Sequence, residues 1–203
     1  MKRIFMIFIL VALTLFSTFI ADAQVCPYIP YFSQLDSRWA KNQLGTCSGE
    51  TIGKSGCVIT CVSMVFKYYD RKLDIDPGKL NEWLKKNNGY ANGCEMIWSA
   101  PSRYTKGIML ESTVDTKKLS DIDKYLNRTK PVIVKVLYCG LPHYVVVSYK
   151  YRDTYYIQDP NGSSITLNYY KNSITRLVVY SPTGAPPKPN EDVLTTTWGA
   201  MKQ

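Results

Sequence analysis

The sequence predicts an α+β fold, and three observations carry that reading. Residues 57–69, CVITCVSMVFKYY, are apolar on all sides and contain no breaker, which predicts a buried helix early in the chain. Beyond residue 130 the pattern changes to short runs rich in Val, Ile and Tyr, separated by turn signals such as Asn161-Gly162, and these predict antiparallel strands. Helices first and strands afterwards place a helical half against a sheet, with a cleft between them.

The elements follow in chain order. Lys2 and Arg3 precede an almost wholly apolar stretch at 4–20 and then Ala21-Asp22-Ala23, the pattern of a secretory signal peptide over 1–23, cleaved after Ala23. An uncleaved anchor is the competing reading, but Thr14, Ser17 and Thr18 dilute a stretch already short for a membrane span of about 20 residues. Residues 24–180 are expected to form one domain, and 181–203, opening with SPTGAPPKPN, a Pro-rich flexible tail. Asp76 before Pro77, with Leu80, Trp83 and Leu84 at helical spacing, predicts a capped helix. Ser120 caps a shorter one carrying Ile122, Tyr125 and Leu126. Strands are expected at 131–138, 143–149, 154–158, 164–167 and 174–180.

Composition narrows the chemistry. The formal charge of +9 suits anionic surroundings such as cell-envelope polymers. The lysines are scattered and no base-reading motif occurs, so no nucleic-acid partner is expected. His143 is the only histidine, which excludes metal enzymes built on paired histidines; the cysteine spacings match no zinc ribbon or finger, and no phosphate-cradling glycine loop is present. No metal and no cofactor are therefore expected.

The six cysteines, at 26, 47, 57, 61, 94 and 139, all follow the signal segment, where disulfides form and persist. With Cys57 reserved for chemistry, five remain, which suggests two bridges and one spare thiol with the pairing left open. Cys57 stands at the start of the predicted helix, where exposed N–H groups and the helix dipole favour a thiolate. Gly56 before it, lacking a side chain, leaves room for a substrate to approach. Activation by an imidazole has only His143 to call on, at the start of the strand Tyr144-Val145-Val146-Val147. Asp159 ends the next expected strand, so two neighbouring antiparallel strands can set it beside His143 as the orienting group. Each residue also has an ordinary reading: a bridged cysteine, a surface histidine, and an Asp-Pro-Asn-Gly turn.

Order and context tie these pieces together. Ile29 to Ala40, IPYFSQLDSRWA, resembles the "Q-x-D-x-x-W" opening of the secreted C39-like branch of the papain-like cysteine peptidases, and Thr51 to Cys57, TIGKSGC, resembles its nucleophile segment. The similarity continues through Leu80-Asn81-Glu82-Trp83-Leu84, Asn88-Gly89-Tyr90, His143 to Val147, and Asp159-Pro160. The resemblance implies a papain-like fold, with an N-terminal half carrying the nucleophile helix packed on a C-terminal antiparallel sheet. It implies Cys57 as nucleophile, His143 as general base and then acid, Asp159 as its orienting partner, and Gln34 as side-chain donor of the oxyanion hole. Without it, Gln34 reads as a solvent-exposed loop residue; Trp39 is expected to pack under that loop.

Cys47 and Cys94 depart from the family's pattern and are expected to bridge the loop before the helix to the middle segment. Thr46-Cys47-Ser48-Gly49 looks like the nucleophile of another cell-wall peptidase family, but a breaker-rich run follows it instead of a helix. Cys61, one turn after Cys57, is expected in the core, whereas Cys139 is placed to bridge elsewhere or to trap Cys57 in an oxidised form. The leading reading is a secreted or periplasmic monomer that cleaves an amide bond of a peptide or protein substrate through an acyl-enzyme, without stable membrane insertion after signal cleavage. Two other classes stand beside it: an idle papain-like binding module for an anionic envelope polymer, and an acyl transferase of the transglutaminase type.

Overall fold

The computed structural model of the protein describes residues 28–126 and 129–183. A helical turn α1 (Ile52–Ser55) leads into α2 (Cys57–Tyr69) and α3 (Pro77–Lys86). A two-residue ladder, β1 (Tyr90–Ala91) with β2 (Glu95–Met96), and a 3-10 turn (Ala100–Arg103) follow. Then come β3 (Ile108–Asp115), α4 (Ser120–Leu126), β4 (Val132–Tyr138), β5 (Leu141–Tyr151), β6 (Thr154–Gln158), a second 3-10 turn (Leu167–Tyr170) and β7 (Ile174–Pro182).

Helix α2 has the bounds the apolar run predicts, and nine of its residues, Ile59 to Phe66 and Tyr69, are buried. Its two buried hydroxyls are satisfied within the helix: Thr60 donates to the Gly56 carbonyl and Ser63 to that of Ile59, each at 2.8 Å. Helix α3 starts as its sequence requires, with Asp76 accepting the Lys79 N–H at 2.8 Å and Pro77 at the first position.

The five-stranded sheet is antiparallel throughout, in the order β3-β7-β4-β5-β6. One face, with Ile133, Val146, Val178 and Tyr180, packs into the core cluster that contains α2 and α3. The other, with Val134, Val136, Val145, Val147 and Val179, is covered by Ile122 of α4 and by Leu167 and Tyr170 of the second 3-10 turn. Burial on both faces explains why β4 and the middle of β5 read as continuous valine-rich runs instead of alternating. Cys139 and Gly140, with φ of 48° and 81°, form the two-residue turn between β4 and β5, and both positive values are what such a hairpin demands.

Three sequence expectations change. Strand β3 was not among those expected: it is an edge strand with Glu111, Thr113 and Asp115 on its exposed face, so its apolar content is diluted. The strand expected at 164–167 is reduced to a single bridge between Tyr156 and Thr166. The N–H groups of Ser163 and Ser164 are taken by the Asp159 carboxylate, and that of Thr166 by the Ser164 hydroxyl, so no ladder can use them. Strand β7 continues to Pro182, pairing Ser181 and Pro182 with Met109 and Ile108, two residues into the segment expected as tail. The signal segment, Cys26 and the rest of the tail lie outside the described residues.

Candidate active site

Cys57 is the first residue of α2 and is half-buried. Thr51 caps α1 by accepting the Lys54 N–H, and Gly56 joins α1 to α2 with no side-chain cap of its own. The thiol is thus carried on the end of a 13-residue helix whose leading N–H groups point past it. Gly56 serves packing and not substrate access: a Cβ there would lie 2.4 Å from the Ile52 carbonyl oxygen and 2.7 Å from its Cγ2. Only glycine lets the chain fold this tightly onto the fully buried Ile52 immediately before the nucleophile position.

His143 is the third residue of β5, opposite Val136 of β4, and is buried. Asp159 follows the last residue of β6, and the pairing of Val146 with Gln158 brings the two side chains together. The imidazole Nε2–H donates to Asp159 Oδ1 at 2.8 Å, and Cys57 is the ring's other electrostatic partner, for which Nδ1 is the nitrogen left. The structure therefore brings Cys57, His143 and Asp159, from α2, β5 and the β6 end, to one site, with a hydrogen bond between the last two.

The Asp159 carboxylate is completely enclosed. Oδ1 also accepts the Asn161 N–H at 3.0 Å, and Oδ2 accepts those of Ser163 at 3.1 Å and Ser164 at 3.2 Å together with the Tyr170 hydroxyl at 2.5 Å. Asp-Pro-Asn-Gly is also the turn its composition suggests, closed by Gly162 N–H to the Asp159 carbonyl at 2.9 Å with Gly162 at φ 72°. One segment serves as turn and as carboxylate cradle.

Electrostatics at the pair follow from this geometry. Burial disfavours the charged imidazole, but the hydrogen bonds to Asp159 and Cys57 outweigh it and raise the His143 pKa to about 9. Burial likewise pushes the Asp159 carboxyl up, and the hydrogen bonds from His143, Tyr170 and the Asn161 N–H overcome it, holding the group below its usual range.

Gln34 is buried, contrary to the solvent-exposed reading of its loop. Its N–H donates to the Pro160 carbonyl at 2.9 Å, and its Nε2 to the Gly53 carbonyl at 2.9 Å, so it touches both the residue after Asp159 and the turn that leads to Cys57. The Gly53 acceptor fixes which end of the amide is nitrogen and leaves Nε2 a second hydrogen. Gln34 Oε1 is a buried oxygen with no hydrogen-bond partner. Trp39 packs as expected, with Nε1–H donating to the Ser33 carbonyl at 2.8 Å and its ring edge-on to Phe32.

Cys47 and Cys94 form the expected disulfide, closing a separation of 47 residues. The second expected bridge is not formed among the described residues: Cys61 and Cys139 are both free thiols. Cys61 is sealed in the core, its thiol donating to the Tyr144 carbonyl at 3.3 Å, and Cys139 is exposed in the hairpin turn. Tyr170 was not picked out from the sequence, because nothing in Tyr169-Tyr170 distinguishes the inward residue from the outward one. Among the described residues no cluster of His, Cys, Asp and Glu is placed to hold a metal ion, and no helix is long and apolar enough to cross a membrane.

Comparison with known proteins adds family membership to this geometry. A family model described as the Peptidase_C39 like family matches residues 27–185. The crystal structure of a presumed C39-like peptidase from Bacillus anthracis is similar, with a TM-score of 0.49 at 13% identity, covering 76% of this chain and 96% of that chain. No curated protein matches.

Proposed function

The chain belongs to the Peptidase_C39 like family, and from that premise we propose that it is an exported cysteine peptidase that cleaves an amide bond through an acyl-enzyme on Cys57. The observation that carries the proposal is the His143–Asp159 pair, with Nε2 held at 2.8 Å by the carboxylate and Cys57 as the imidazole's other electrostatic partner. A raised His143 pKa favours an imidazolium near neutral pH, the partner a thiolate needs.

In the proposed reaction the Cys57 thiolate attacks the carbonyl carbon and the C=O electron pair moves to oxygen. The Cys57 N–H and the second Nε2 hydrogen of Gln34 are the oxyanion donors. When the C–N bond breaks, the leaving amine takes the proton from His143 Nδ1, and a thioester to Cys57 remains. Water then attacks the thioester and gives a proton to Nδ1, and the released thiolate restores the starting pair. Asp159 keeps Nε2–H engaged throughout, which fixes the ring orientation and stabilises the imidazolium.

Export through the segment at 1–23 is part of the proposal. The Cys47–Cys94 disulfide supports it, since such bonds persist in oxidising compartments. The substrate is a peptide or protein, and the positive charge suits one held near an anionic envelope polymer.

The test is alkylation of the purified protein by iodoacetamide at pH 6, mapped by mass spectrometry, with His143→Ala in parallel. Rapid modification of Cys57 that is lost in the variant supports the proposal. A Cys57 that reacts no faster than the exposed thiol of Cys139 overturns it and leaves an idle binding module as the reading.

A further inference from the structure

Tyr170 is nearly buried, at 3% exposure, and its ring lies 5.8 Å from that of His143. It closes the second 3-10 turn, which is anchored by the fully buried Leu167 and ended by Lys171 at φ 52°, where the chain reverses toward β7. This turn occupies sequence that composition assigns to a strand and loop, and its effect is to deliver one hydroxyl to Asp159 Oδ2.

A carboxylate fixed only by its partner imidazole rotates about its Cβ–Cγ bond and exchanges its oxygens. At Asp159 the two oxygens have different duties. Oδ2 is taken by Tyr170, Ser163 and Ser164, and that division leaves Oδ1 turned toward His143 Nε2. The two serine N–H groups come from one turn and approach from the same stretch of chain, whereas Tyr170 comes from another segment and defines the carboxylate plane from a second direction.

We infer that Tyr170 is a positioning residue for the His143–Asp159 pair, its hydroxyl setting the carboxylate plane so that Oδ1 meets Nε2 and Nδ1 is left facing Cys57. The inference rests on the proposed catalytic role of Cys57 and His143. Burial, and then the hydrogen bond to Asp159, push the Tyr170 hydroxyl up, so it stays a protonated donor through the working pH range. The titratable groups acting on the same site are His143 on β5, Cys57 and Cys61 on α2, and Tyr169 and Tyr138 beside the 3-10 turn.

The experiment is the pH profile of Cys57 alkylation by iodoacetamide in the unmodified protein and in Tyr170→Phe, with Cys139 as internal reference. The Phe variant keeps the ring and removes one charge-assisted hydrogen bond, so the Cys57 rate at pH 6 is expected to fall about tenfold. At pH 9, where an ordinary thiol ionises unaided, the two proteins should react alike. Profiles that superimpose, whatever the change in melting temperature, overturn the role of Tyr170 while leaving the catalytic pair in place. A Cys57 no faster than Cys139 in the unmodified protein overturns the pair itself. Should Tyr170→Phe not fold, proton NMR of the unmodified protein decides. The Tyr170 hydroxyl and His143 Nε2–H resonances are then expected to broaden together at the pH where Cys57 reactivity falls, and loss of the hydroxyl signal with reactivity intact refutes the inference.

Discussion

His143 Nε2 and Asp159 Oδ1 lie 2.8 Å apart across a sequence separation of 16, because antiparallel pairing of β5 with β6 folds the second residue back beside the first. The contact is shielded on the protein side, with the His143 side chain 9% exposed and that of Asp159 fully enclosed. Few solvent molecules compete for this hydrogen bond, and its effects reach both the titration and the chemistry of the site.

The first prediction concerns pH. The native His143 pKa of about 9 lies above the ordinary 6.5, so the stability its charged form contributes is fully present below 6.5 and is lost as pH rises through about 9. Since the chain has one histidine, NMR should show a single imidazole titration with a midpoint near 9, and urea unfolding should give lower stability at pH 10 than at pH 6. A midpoint at or below 6.5 contradicts the geometry.

Gln34 is expected to matter for acylation and not for thiol ionisation. Gln34→Ala should slow the acylation burst with p-nitrophenyl acetate by about 10²–10³, the usual effect of losing an oxyanion donor. Iodoacetamide forms no oxyanion, so its rate with Cys57 should stay within a small factor of the unmodified protein. Equal losses in both reactions would assign Gln34 a structural task through its bonds to Gly53 and Pro160.

Gly56→Ala inserts a methyl 2.4 Å from the Ile52 carbonyl oxygen. Relief requires α1 and α2 to separate, at a cost of about 1–3 kcal/mol. The same movement displaces Cys57 from His143, so urea unfolding and the Cys57 alkylation rate at pH 6 should both decline. A variant of undiminished stability would show that the turn has more freedom than its contacts indicate.

Removing the Cys47–Cys94 bridge by Cys47→Ser with Cys94→Ser frees a loop spanning 47 residues. The expected loss is about 2–5 kcal/mol in urea unfolding. The bridge lies beside Gly45 and Gly93, which approach so closely that a Cβ on Gly45 would meet the Gly93 carbonyl at 2.2 Å, and the His143–Asp159 hydrogen bond is made by β5 and the β6 end, outside the bridged loop. Alkylation of Cys57 should therefore change little in the folded variant.

How much of this was legible in the sequence differs by element. Helix α2 was readable at both ends, because thirteen residues without a breaker admit one regular structure and Gly56 and Asp70 stop it. The Asp76 cap, α4 and β6 were readable for the same local reason. Strand β3 was not: on an edge, with Ser112 on its inner face, it borrows its regularity from β7. Asn81 gave no signal either. It is fully buried in α3, accepting from Gly45 N–H and the Tyr90 hydroxyl and donating to the Gln43 carbonyl, and these contacts span loops far apart in sequence.

By itself the sequence determined the fold class, the helix that carries Cys57, the single histidine available to it, and the family, because these depend on local pattern and on residue types in order. The tertiary structure alone decided that Gln34 is buried between Gly53 and Pro160, that Gly56 is a packing glycine, and that Cys61 and Cys139 are free thiols among the described residues. It also decided that Ser163, Ser164 and Tyr170 enclose Asp159. Each of these depends on which groups meet across strands and loops, and a buried carboxylate that must find donors for both oxygens overrides the local preference of residues 164–167 for a strand.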